Sequence, residues 1–351
     1  MLHPTNIPDC APELECLLDF QERLLDFACR MNGFARSDLD AEFGVDIASW
    51  LHENRFKLLD PIKAFSENIS SEEKQKLLVH FRHDRTFNNF INDSSFSFQF
   101  VVTEHSSDYV KNLKQLFIGY YEQLKSSGFH PQICGHATDG FTGRHWWSGY
   151  RNANPDRLTC AVCDASLSAG GKTIEHFFPK KQYPVLSTHP SNLIPLCKTC
   201  NNDVKKEKDP LASDPITAIY LPYYRSVRPE IKLEFSNNSD GGYAVKIEPA
   251  TDEPSSQKRI SNFETLFDLS NRWSKELDDI SVTAISRARD YIDAMRDNGK
   301  EVNAETIPTY IDIACTRMER NWGKNNYEYV ATEWLRWAKN NKPSLVLTLV
   351  S

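Results

Sequence analysis

No run of apolar residues approaches the roughly 18 that a membrane-spanning helix needs, so none is expected among these 351 residues. The opening MLHPTNIPDCAPE lacks a basic stretch followed by an apolar one, so no secretory leader is expected there. Internal repeats, low-complexity tracts and phosphate-cradling glycine loops are also missing. Their absence argues against a solenoid, a disordered scaffold and a built-in P-loop ATPase. Five of the nine cysteines (Cys10, Cys16, Cys29, Cys134 and Cys315) are scattered without the spacing of a disulfide framework, which points to a reducing cytoplasm. What remains is an ordinary globular composition, 40% hydrophobic and 25% charged, with room for two or three domains.

Charge is unevenly spread. The chain is net −7, but residues 151–210 hold 9 basic against 6 acidic side chains, a local excess of +3. Residues 1–150 are net −7 and residues 211–351 net −3. Phosphate neutralisation dominates nucleic-acid affinity, so the acidic flanks argue against strong autonomous DNA binding and for a partner or a guarded site. Ordinary solubility is the competing explanation.

The same segment carries the chemistry. Two CxxC pairs, Cys160/Cys163 and Cys197/Cys200, each put two thiolates on one tight turn. Together they close a tetrahedral shell suited to structural Zn2+, with no open position for a substrate. Two disulfides or unrelated buried thiols are the alternative. The 33 residues between the pairs are too many for a simple ribbon loop and must form a structured insert. Thr173 to Phe178 reads as a strand ended by Pro179. It carries Glu175-His176. Leu193 to Leu196 reads as a second strand, and Asn201 to Asp209 as the start of a short helix.

This strand, loop, strand and helix between paired cysteines resembles the HNH, or ββα-metal, nuclease family in its zinc-knuckle form. The resemblance covers residues 160–210. It implies His176 as the general base that deprotonates water and Glu175 as the first metal ligand. Asn192 would be the loop residue that holds the histidine by a hydrogen bond. Asn201, or failing it Asn202, would be the further metal ligand. The family usually has Asp before the histidine, where this chain has the longer Glu175. It usually has a lysine four residues after the last cysteine, where this chain has Val204, with lysines beginning at Lys205. Phosphodiester hydrolysis needs a base near neutral pH and a hard divalent ion, Mg2+ or Mn2+, which oxygen donors suit and thiolates do not.

The flanks are expected to make an α+β protein. A mostly helical N-terminal domain (1–128) and an aromatic, basic connector (129–159) precede the zinc-stapled ββα-metal module (160–210). A β-hairpin extension (211–255) and a helical C-terminal domain (256–351) follow. Within the first domain, Ser95 to Phe100 alternates with period two and predicts a strand, and Ser70 or Ser71 predicts a helix N-cap. Residues 249–257 read as a linker. Arg144, His145, Trp146, Trp147, Tyr150 and Arg151 mix cations and rings, which either pack the module onto its neighbour or contact phosphates and bases. Expected nucleic-acid contacts are Lys180, Lys205, Lys206, Arg144 and Arg151. Cys134 and His136 offer only two metal ligands, which is not a site. The function expected is DNA cleavage in the cytoplasm, in a prokaryotic restriction or antiphage system with a separate ATPase or sensor subunit. A non-catalytic zinc-knuckle binding module or scaffold is the alternative.

Overall fold

The computed structural model describes residues 2–135, 140–168, 171–238, 241–344 and 348–349. His136 lies outside them. The architecture is α+β: helices with two separate two-stranded antiparallel sheets.

The N-terminal half begins with α1 (Ala11–Arg30), whose Leu14, Leu17, Leu18, Leu24 and Leu25 recur at helical spacing and are buried. The amphipathic stretch from Asp38 to Leu51 falls into two helices, α2 (Arg36–Phe43) and α3 (Val45–Glu53), broken at Gly44, whose φ of 85° suits a residue without a Cβ. Then come α4 (Leu59–Asn68), α5 (Ser71–Asp84) and α6 (Asp108–Lys125). Ser70 caps α5 by accepting from the Glu73 amide, as its sequence position predicts.

Residues 95–100 are not a strand: among the described residues no partner strand pairs with them. Their alternation instead reports which side chains enter the core. Phe98 packs on Phe178 and Tyr183 at ring separations of 5.0 and 4.9 Å, and Phe96 stacks on His83. The buried Asp84 carboxylate accepts the amides of Gln99 and Phe100, supplying the hydrogen bonds a ladder would have given.

The short α7 (Pro131–Cys134) leads to α8 (Gly143–Ala153). Trp146 and Tyr150 of α8 are buried, and α8 meets the start of α1, its Gly149 and Trp146 carbonyls accepting from the Asp9 amide and the Cys10 thiol. Gly149 is needed there, since a Cβ would lie 2.6 Å from Cys10 Sγ. In the module, β1 (Lys172–His176) pairs with β2 (Leu193–Cys197), Glu175 opposite Ile194. A π-helical turn, Thr199–Lys205, follows.

The C-terminal part holds β3 (Ile231–Asn237) paired with β4 (Tyr243–Pro249), then α9 (Pro254–Phe267), α10 (Leu269–Asp297), α11 (Ile307–Glu319) and α12 (Glu328–Asn341). The expected linker is shorter than its sequence suggests, because Pro254 begins α9, where a proline's missing N–H costs nothing. The N-terminal residues and helix α10 brace the knuckle. Leu2 donates its amide to the Ala161 carbonyl, His3 Nε2 meets Asp164 Oδ1 at 2.8 Å, and Trp273 Nε1 donates to the Cys163 carbonyl. Among the described residues no helix is long and apolar enough to cross a membrane.

Candidate metal and nuclease site

The four cysteine sulfurs of 160, 163, 197 and 200 lie within 4.8 Å of one another, all buried and none in a disulfide. A tetrahedron with Zn–S bonds of about 2.3 Å has sulfurs about 3.8 Å apart, and Cys163 and Cys197 sit at 3.6 Å. The Cys197 and Cys200 amides and the Arg272 guanidinium (3.2 Å to Cys200 Sγ) donate to the sulfurs, as suits thiolate charge. The donor set therefore fits structural zinc.

On the other side of β1, Glu175 and His176 line an open cleft of about 610 Å³ together with Asn201, Asn202, Lys180, Lys125, Lys172, Arg144 and Trp147. His176 is buried against the edge of Tyr121, the ring centroids 4.1 Å apart. Its Nε2 lies 2.8 Å from the Ser187 carbonyl. A carbonyl only accepts, so Nε2 carries the proton and Nδ1 is the basic nitrogen. Burial, reinforced by the Lys180 charge, pushes the imidazole down to about 3, so the ring is neutral at neutral pH.

Asn192 does not bond the imidazole, contrary to the family-based expectation. Its Oδ1 accepts from the Phe178 amide at 2.7 Å and its Nδ2 donates to the carbonyls of Phe178 and Leu186. It thereby fixes the 3-10 turn Pro184–Thr188 that contains Ser187, and the Ser187 carbonyl holds the ring. Asn192 acts on the imidazole through the loop.

Lys205 is also corrected. It is buried rather than available to nucleic acid, its Nζ 3.0 Å from Glu175 Oε1 and 2.9 Å from the His176 carbonyl. The π-helical turn explains how. Lys206 donates its amide to the Asn201 carbonyl, five residues back, so one extra residue is absorbed in the turn. Lys205 thus returns to the strand although it stands one position beyond the family's usual lysine. Burial raises the Glu175 carboxyl and lowers the Lys205 ammonium, while their mutual attraction opposes both shifts.

Asn201 donates its amide Nδ2 to Thr173 Oγ1, which leaves Oδ1 as its available oxygen on the cleft. Asn202 is exposed beside it. Lys180 lines the cleft but is held by Glu122 at 2.7 Å and lies over the Tyr121 ring. Lys206 is exposed at the far end. Arg151 lies outside this cleft, in a neighbouring groove. Tyr121, Lys125 and the Ser187 carbonyl were not anticipated as parts of the site. Tyr121 reads in sequence as one more apolar-face aromatic of its helix, and a backbone carbonyl has no signature at all.

An imidazole and a carboxylate on one strand of a hairpin beside the four-cysteine cluster, with an asparagine on the following helical turn, are the arrangement that the ββα-metal resemblance implies. Consistently, residues 160–207 match the family model described as HNH endonuclease. That segment is an HNH module in its zinc-knuckle form. No curated protein and no solved structure matches the chain.

Proposed function

We propose that this protein is a metal-dependent endonuclease that hydrolyses DNA phosphodiester bonds, with His176 as general base. One observation carries the reading: Ser187 fixes the imidazole tautomer, so a neutral ring offers a basic Nδ1 on a cleft shared with Glu175 and Asn201. Burial, and after it the Lys180 and Lys205 charges, depress that base, and an anionic phosphate in the cleft offsets the lysine part of that shift. Oxygen donors on Glu175 and Asn201, with Asn202 beside them, suit a hard divalent ion. Mg2+ or Mn2+ held there would neutralise charge on the scissile phosphate and the leaving oxygen. Lys172 and Arg144, which no carboxylate pairs among the described residues, draw the phosphate in. The acidic remainder of the chain favours delivery of DNA by a partner, as in a restriction or antiphage system with a separate ATPase or sensor subunit.

The test is incubation of the purified protein with supercoiled plasmid and Mg2+, Mn2+ or chelator, beside His176→Ala. Cleavage should need the metal and fall by roughly 10²–10⁴-fold in the variant, with zinc content unchanged. Undiminished cleavage by His176→Ala would remove the histidine from the mechanism. Binding without scission in either metal would favour a non-catalytic module.

A further inference from the structure

Helix α8 presents a surface that begins at the His176 cleft and continues beyond it. Arg144, Trp147 and Arg151 are spaced i, i+3, i+7 and share one helix face, while Trp146, Gly149 and Tyr150 turn inward. Trp147 and Lys172 line both the cleft at His176 and a second groove of about 600 Å³. That second groove is lined further by Arg151, Arg157 and Leu158, and by no carboxylate.

The cations differ in how free they are. Arg157 is part of the wall, donating to the carbonyls of Pro4 and Trp322. Arg151 and Lys172 are exposed, and Lys172 Nζ sits 5.1 Å from the Trp147 ring centroid. Among the described residues neither they nor Arg144 pairs with a carboxylate. Other cations near the module and on α5 are neutralised: Lys180 by Glu122, Lys181 by Glu207, Arg82 and Arg85 by acids of α1. In a chain of net −7, an unneutralised row that leads away from the cleft past a half-buried tryptophan is complementary to a polyanion with stackable rings.

We propose that the nucleic-acid strand leaving the scissile phosphate crosses Trp147 and Lys172 into this second groove, where Arg151 and Lys172 hold its phosphates. The inference rests on the hydrolytic reading above. It assigns a substrate track on α8, outside the matched segment.

The experiment measures anisotropy of a labelled DNA of about 20 nucleotides, long enough to fill both grooves, on the His176→Ala protein so that nothing is cut. Adding Arg151→Ala should weaken binding roughly 5–10-fold at low salt and reduce the slope of log affinity against log salt by about one. Arg151→Glu should weaken it further, and Arg151→Lys should restore most of it. Arg151 is exposed, and an unchanged thermal midpoint verifies that each variant is folded. Affinity and salt slope unmoved by Arg151→Ala and Arg151→Glu would overturn the track. If His176→Ala still abolishes plasmid cleavage in that case, the hydrolytic reading stands alone. If His176→Ala cleaves normally, the reading beneath the track falls first.

Discussion

β1–β2 and β3–β4 are both two-stranded antiparallel hairpins, with strands of five and seven residues. In β3–β4 the burial alternates along each strand, and the Asn238 amide donates to the Gly242 carbonyl. One face lies on α10, where Ser270 and Ser274 hydroxyls accept the amides of Ile247 and Val245. In β1–β2 the second strand is buried throughout, and residues 177–192 intervene between the strands. A hairpin that only packs follows its hydrophobic pattern. The first hairpin and the turn after it bury Glu175, His176 and Lys205, which must be stabilised by other means. Those means are a thiolate cluster at one end and a saturated hydrogen-bond set around Asn192 and Lys205 at the other.

The comparison breaks most severely at the thiolates. Stripping zinc with a strong chelator should cost several kcal/mol, since structural zinc binding is folding free energy. The readouts are zinc per chain and the thermal midpoint. Arg272→Ala, which removes the donor to Cys200 without touching a ligand, should lower the chelator concentration needed. A midpoint unmoved by complete zinc loss would reduce the four cysteines to ordinary buried thiols.

A smaller effect is expected at Lys205. Its ammonium is fully buried against a carboxylate that is 12% exposed. Lys205→Met leaves Glu175 without its partner and the His176 carbonyl without a donor, which should cost about 3–5 kcal/mol. The double variant Lys205→Met/Glu175→Gln should recover much of that stability, because a broken buried pair costs more than a removed one. Denaturant midpoints of the three proteins decide it. A single variant as stable as the parent would show that the pair contributes nothing to the fold.

The two hairpins were legible for different reasons. Zinc and nuclease chemistry require fixed residue types at fixed spacing, so the cysteines, Glu175, His176, Asn192 and Asn201 stand out before any fold is known. How the imidazole is held did not, because its anchor is the Ser187 carbonyl, which is identical in every residue. The one-residue offset of Lys205 read as a displaced lysine, since helical spacing assumes i→i+4 bonds and the chain uses a π turn. Periodicity gave the helical flanks and β3–β4 correctly. It misread Ser95–Phe100, because period-two burial reports a chain with two environments, and only a partner makes that chain a strand.

The mildest prediction lies in β4, where adjacent residues should behave as opposites. Val245 is 3% exposed against α10, whereas Lys246 points outward and pairs with Glu248 two residues along the same strand. Val245→Ala removes two buried methyl groups and should cost about 2 kcal/mol, from about 0.8 per carbon plus residual cavity. Lys246→Ala should leave the thermal midpoint where it is, because an exposed ion pair on a strand face is screened by water. Equal loss in both variants would mean that the outer face of this hairpin is covered in solution. β3–β4 would then cease to be the plain packing element against which the first hairpin is judged.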